Sequence, residues 1–254
     1  MAQFLFAKSQ ELRVTLPRLF LTEMIIATIQ DNIARVEDRI AAACRRSGRR
    51  REDIRLIAVS KTHPSESIRA AYAAGLRDFG ENRVQEAKSK IQTLSDLDIT
   101  WHMLGHLQSN KSRVARELFQ WVHSVDSLRL AERLAQASDV GEPRLPVLIE
   151  VNLGGETSKA GVQLRDVAAL VEGIAPFGTV ELCGLMTIPP FSENPEDVRP
   201  YFRQLRELAC EIESRNLPNV SMRELSMGMS NDFEVAIEEA ATIVRVGTAI
   251  FGER

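Results

Sequence analysis

Lys61 stands just past the apolar run Leu56–Val59, in the segment LIAVSKTHP (Leu56–Pro64). An ammonium at that place would have apolar walls below it. Partial desolvation lowers a lysine pKa and makes the neutral amine a usable nucleophile. A surface lysine just past a strand is the other reading of the position alone. Near the C-terminus, two short segments have the make-up of an anion cradle: Ser226-Met227-Gly228-Met229-Ser230 and Gly247-Thr248. Small residues let the backbone approach an anion, and N–H groups and hydroxyls bind it. Asn231 with Glu234 three residues later reads as a helix capping box. Serine and glycine also serve ordinary caps and turns, so the composition leaves both readings open. Arg245 lies immediately before the second segment.

The elements that must position these residues follow from hydrophobic spacing. Ile25, Ile29, Ile33, Val36 and Ile40 recur at three- and four-residue steps and predict a helix with one apolar face. After it, short apolar runs alternate with amphipathic stretches. The predicted strands are 56–59, 78–80, 100–104, 121–125, 147–151, 181–186, 224–226 and 243–246. Helices are predicted over 65–74, 83–94, 109–119, 127–137, 164–175, 195–215 and 232–241. Strands alternating with helices imply βαβ units and a parallel sheet. An α/β fold is therefore expected: a single (β/α)8 TIM barrel with an extra N-terminal helix. A doubly wound open sheet would show a glycine-rich turn after its first strand, and SKTHPSES has no glycine. In a barrel, function gathers at the C-terminal ends of the strands. That rule selects Lys61, the FGENRVQE segment with Asn82, WHMLGHLQSNK with His102, VNLGGETSKAGV, GLMTIPP, and the two small-residue segments.

Composition narrows the function. The 254 residues carry 32 Lys+Arg against 35 Asp+Glu, a net charge of −3, which does not suit a polycation built to wrap nucleic acid. Six arginines between Arg45 and Arg55 face only Glu52 and Asp53, with no interleaved aromatics for base stacking, and read as a solvated helix end. No apolar run reaches the roughly 18 residues of a membrane span. Cys44, Cys183 and Cys210 are too scattered for a disulfide framework or a zinc site. His102 and His106 have i,i+4 spacing but span a strand end and a glycine turn, with no acidic ligand set, so a metal hydrolase is set aside. Residues 1–23 lack a secretory pattern, and Glu11 and Glu23 count against a targeting segment. They are expected to be a mobile extension, or to precede a start at Met24, with the barrel over 24–254.

A nucleophilic lysine, a phosphate cradle and a nearby arginine together suit pyridoxal 5′-phosphate (PLP), which needs partners for its aldehyde, phosphate and ring nitrogen. The motifs AVSKTHP, FGENRVQE, WHMLGHLQSNK, HSVDS, VNLGGETSKAGV, GLMTIPP, LSMGMSNDFEVAI and VRVGTAIFGER occur in this order. From about Met24 to Arg254 the chain resembles the pyridoxal-phosphate homeostasis protein family. The resemblance implies an alanine-racemase-type barrel carrying PLP. It implies that Lys61 forms the Schiff base, that Arg245 faces the pyridine nitrogen, and that Ser226, Gly247 and Thr248 hold the phosphate. It places Asn82 against the ring, with His102 and Met227 as candidate pocket lining. Lys159 is either a second lysine near the mouth or a solvated loop lysine.

Two function classes follow. One is an intracellular PLP carrier or buffer serving PLP-dependent apo-enzymes, cytoplasmic, expected to be a monomer, without nucleic-acid or membrane partners. The other is a PLP-dependent amino-acid racemase. An arginine at the ring nitrogen disfavours a protonated pyridinium and weakens the electron sink. Racemases of this type add a β domain and take a tyrosine base from a partner subunit. Here the chain ends eight residues after Val246, and Tyr72 and Tyr201, the two tyrosines, fall in predicted outer helices. A two-base racemase needs an acid/base on each face of the substrate. His63, His102 and Lys159 are the candidates for a second base, none with a motif behind it. The non-catalytic reading is preferred.

Overall fold

The apolar runs do become strands, and their parallel pairing closes a ring. The computed structural model describes residues 26–155 and 160–253, so the expected extension 1–23, Ile25 of the predicted helix face and Lys159 lie outside the described residues. Helix α1 covers 26–47. It is followed by β1 (Arg55–Val59), α2 (Ser65–Ala73), β2 (Asp78–Glu81), α3 (Val84–Thr93) and β3 (Thr100–Met103). Next come α4 (Ser112–Leu118), β4 (Trp121–Val125), α5 (Leu128–Gln136), β5 (Leu145–Asn152), β6 (Val162–Gln163) and α6 (Val167–Ile174). The chain ends with β7 (Val180–Met186), α7 (Arg199–Glu213), β8 (Val220–Ser226), α8 (Phe233–Glu238), β9 (Ile243–Val246) and α9 (Thr248–Phe251). Strands β4-β3-β2-β1-β9-β8-β7-β5 lie side by side, and β4 pairs with β5 to close the barrel. The two-residue β6, absent from the sequence prediction, extends the top of β5 through Val151 and Asn152.

Strand alternation divides the side chains into two populations. Leu56, Ala58, Val244, Val246, Val147 and Ile149 face outward and pack under the helices. Ile57, Leu104, Leu148, Cys183, Met186 and Ile243 fill the barrel interior. Helix α1 lays Ile29, Ile33, Val36 and Ile40 on the barrel, each at most 5% exposed. Burial of such a side chain is worth about 1.5–3 kcal/mol. The arginines at the C-terminal end of α1 and just beyond it are exposed or half-buried, and most are paired by the fold. Arg46 pairs with Glu234 and Glu238, Arg51 with Glu37, Arg50 with Asp53, and Arg49 donates to the carbonyls of Ile237 and Ala241.

In β7 the alternation is reset by a register shift between Leu182 and Gly184. This lets Leu182 and Leu185 both face outward while Cys183 and Met186 face inward. Gly184 has φ +155°, and a Cβ there would lie 1.8 Å from the Glu224 carbonyl oxygen of β8. Backbone cannot yield as a flexible side chain does, so Gly184→Ala is expected to destabilise the protein by about 4 kcal/mol or more. Chemical denaturation measures this. A loss below about 1 kcal/mol would mean that the β7–β8 seam opens freely.

Candidate functional site

One cavity of about 580 Å³ opens where the strands end. That volume lies in the usual small-molecule range of roughly 300–1,000 Å³. Its wall is built at the strand ends: Lys61 and His63 after β1, Asn82 after β2 and Leu104 to His106 after β3, with Glu150 to Asn152 on the last residues of β5 and Arg245 on β9. Met229 to Asn231 follow β8, and Gly247 and Thr248 follow β9. Ile188 and Phe191 form an apolar rim, with Phe191 81% exposed. Lys61, Asn82, Arg245, Gly247 and Thr248, chosen from sequence, thus meet at one cavity. Gly105 packs beneath Asn82, where a Cβ would come within 2.5 Å of the Asn82 carbonyl oxygen. Ser230 Oγ accepts from the Ala249 N–H at 3.2 Å and ties the β8 loop to the start of α9.

The expected capping box is replaced. The cap of α8 is Asp232, whose Oδ1 accepts from the Met229 N–H at 2.6 Å. Asn231 donates to the Ser192 carbonyl, and Glu234 is drawn to Arg39 and Arg46 across the interface with α1.

Three sequence-chosen residues do not line the cavity. Met227 is fully buried and faces the helices, because the strand alternation that points Ser226 inward points its neighbour outward. His102 points inward but one step below Leu104, and is also fully buried. Ser226 lies below the cavity as well, and its hydroxyl is engaged by Arg245 and His123 rather than presented to a ligand. Ser226 and His102 belong to a hydrogen-bonded column through the barrel with Arg245, His123 and Asp78. Arg245 Nη1 lies 2.7 Å from Ser226 Oγ, Ser226 Oγ 2.9 Å from His123 Nδ1, His123 Nε2 3.0 Å from His102 Nδ1, and His102 Nε2 2.9 Å from Asp78 Oδ1. A guanidinium only donates and a carboxylate only accepts, which sets the direction. Arg245 donates to Ser226, Ser226 to His123 Nδ1, His123 Nε2–H to His102 Nδ1, and His102 Nε2–H to Asp78. Burial holds both imidazoles below their usual pKa and keeps them neutral, as this order requires.

Arg245 is 4% exposed, and its Nη2 donates to the Thr187 carbonyl at 2.9 Å. Burial pulls its pKa down to about 10, opposed by Glu150 and Asp232, so it remains a cation at neutral pH. Glu150, which the sequence reading passed over, is the acid in the apolar run LPVLIEVN and points into the cavity. Burial raises its pKa to about 7 against the attraction of Arg245. At the mouth, His106 Nδ1 donates to Asp126 Oδ2 at 2.9 Å. His63 stacks on Phe251 with ring centroids 4.9 Å apart. Among the described residues no group of three His, Cys, Asp or Glu is placed to hold a metal ion. None of their helices is long and apolar enough to cross a membrane.

Barrel and cavity define a class: the family described as alanine racemase, N-terminal domain, matches residues 31–254. The chain is 49% identical to the pyridoxal phosphate homeostasis protein of Aquifex aeolicus over 224 residues, covering 88% of this chain and 97% of that one. It is 46% identical over 229 residues to the protein of the same name from Pseudomonas aeruginosa, covering 90% and 97%. The solved structure of PipY from Synechococcus elongatus with PLP bound matches with a TM-score of 0.77 at 42% identity, over 88% of this chain and 100% of that one. The chain belongs to the family of pyridoxal phosphate homeostasis proteins.

Proposed function

We propose that this protein binds PLP in the barrel-mouth cavity, with Lys61 as the Schiff-base partner of its aldehyde, and serves PLP homeostasis without turnover. The observation that carries this reading is the convergence of Lys61, Arg245 and the Gly247–Thr248 loop on one cavity. Its support from relatives is the PLP bound to PipY. When bound, PLP supplies an aldehyde that takes up an amine and a ring that accepts electron density. The residues present suit each part of it. Gly247 and Thr248, with Ser230 beside them, are assigned to the phosphate, and Asn82 to the ring. Arg245 faces the pyridine nitrogen, and as a retained cation it disfavours protonation there. Ser226 is reassigned from the phosphate to holding Arg245, and His102 to supporting that contact through His123.

The racemase alternative needs a second proton-transfer group. Tyr72 and Tyr201 lie on α2 and α7, and neither lines the cavity. His106, oriented by Asp126, and Glu150 are the groups that such an activity would call on. The carrier reading further makes PLP-dependent apo-enzymes the recipients, the chain a monomer and the cytoplasm its compartment. The test is the visible spectrum of the purified protein, followed with D- or L-alanine while the enantiomers are assayed. A long-wavelength PLP band without interconversion of the enantiomers is the expected result. Rapid interconversion would overturn the non-catalytic reading and direct mutagenesis to His106 and Glu150.

A further inference from the structure

The turn that carries Lys61 is fastened from both sides by side chains of β2 and α3. Thr62 has φ +67°, a left-handed conformation that a β-branched residue rarely adopts unless its surroundings impose it. Ser60 precedes the lysine. Its carbonyl accepts from Lys90 Nζ at 2.8 Å, and its hydroxyl donates to Glu81 Oε1 at 2.6 Å. Thr62 follows it, and its N–H donates to Glu86 Oε1 at 2.5 Å. Lys90 joins these contacts, donating to Glu81 Oε1 at 2.8 Å and to Glu86 Oε1 at 2.7 Å. The three donors of the ammonium thus have three acceptors. The Lys90 side chain is 9% exposed and that of Glu81 0%, so an ammonium and a carboxylate are committed to the interior beside this turn. Glu81 Oε2 is buried without a hydrogen-bond partner. Desolvation on this scale is not needed to close a turn, since an apolar pair of similar volume would pack as well. What the cluster adds is a fixed position for the two peptide groups that flank Lys61.

We propose that Lys90 is the positioning residue of Lys61, acting directly on Ser60 and through Glu86 on Thr62 to set where the lysine side chain enters the cavity. The inference rests on Lys61 being the covalent partner of PLP. Lys90 touches neither the cavity nor the ligand, so its effect falls on the step that uses the amine. Ring and phosphate binding, which depend on Asn82, Arg245, Gly247 and Thr248, are untouched.

Two variants test this. In Lys90→Met/Glu81→Gln both buried charges are removed together, which avoids leaving one uncompensated. Glu86→Ala frees the Thr62 N–H at a side chain 26% exposed, where loss of folding is not a concern. Each is titrated with PLP and with pyridoxine 5′-phosphate, which has the same ring and phosphate but an alcohol in place of the aldehyde. Borohydride reduction followed by peptide mass mapping then measures the fraction fixed on Lys61. The expected result is a drop in PLP affinity of about tenfold for the double variant and about threefold for Glu86→Ala, with pyridoxine 5′-phosphate within about twofold of the parent. The fraction fixed on Lys61 falls in parallel. Equal losses for both ligands would mean that the cluster is only scaffold and would overturn the proposal, as would unchanged PLP binding. In the unmodified protein, PLP binding no tighter than the alcohol together with no adduct on Lys61 would instead remove the anchor reading, and the proposal with it.

Discussion

Lys61→Ala is expected to lose all borohydride-fixed PLP while the barrel keeps its stability to within about 0.5 kcal/mol of the parent. The lysine is half-buried, two residues beyond the end of β1. The contacts that hold its turn are made by the main chain of Ser60 and Thr62 and by the Ser60 hydroxyl, and alanine leaves these in place. What the substitution removes is the amine. PLP affinity should therefore fall to that of pyridoxine 5′-phosphate, whose own binding stays near the parent level. Spectral titration, reduction with mass mapping, and thermal unfolding check the three parts. An adduct on another lysine would transfer the role to that residue.

The second large effect concerns pH and stability. Glu150 is forced to ionise in a cavity wall where burial outweighs the pull of Arg245. Its pKa rises from the ordinary 4.5 to about 7 in the folded chain. Between those two values the folded protein binds more protons than the unfolded one, so stability falls as pH rises through that window. The penalty is absent below the unfolded pKa and complete above the folded one. A shift of this size corresponds to about 3 kcal/mol, an upper bound because water in the cavity screens the charge. Glu150→Gln keeps the shape and removes the ionisation. It should match the parent at about pH 4 and exceed it by up to about 3 kcal/mol at about pH 8, in protein freed of ligand. The Arg245 attraction is already contained in the pKa of about 7, so its loss does not reverse the sign. Denaturant midpoints measured across that range decide the matter. A constant difference at all pH values would show that Glu150 ionises as an ordinary surface carboxyl does.

The sequence determined the barrel and the ring of segments at its mouth. The apolar runs of three to six residues are too short for core helices and suit buried strands, and alternation with amphipathic helices leaves a parallel sheet as the solution. Once the sheet closes, the strand ends meet. That is why Lys61, Asn82, Gly247 and Thr248, spread over the whole chain, were legible as neighbours without coordinates. The predicted strand over 224–226 was short because Ser221 and Arg223 interrupt the apolar run of β8, although Met222 between them is buried.

Tertiary structure decided what lies at which height inside the barrel and which charges meet there. Period-two alternation says that a side chain points inward or outward, but the layer it joins depends on the stagger between strands, which no local pattern encodes. So His102 fell below the cavity and Ser226 came to hold Arg245. Met227 was lost to the helices for the simpler reason of alternation itself. Glu150 was visible as an acid in an apolar run, yet its partner Arg245 is 95 residues away. The bonds from Lys90 to Ser60 and from Arg39 to Glu234 likewise join residues 30 and 195 positions apart. Hydrophobic spacing is a local property of the chain, whereas the pairing of buried charges is a property of the closed barrel, because only closure brings distant strands and helices within hydrogen-bond reach.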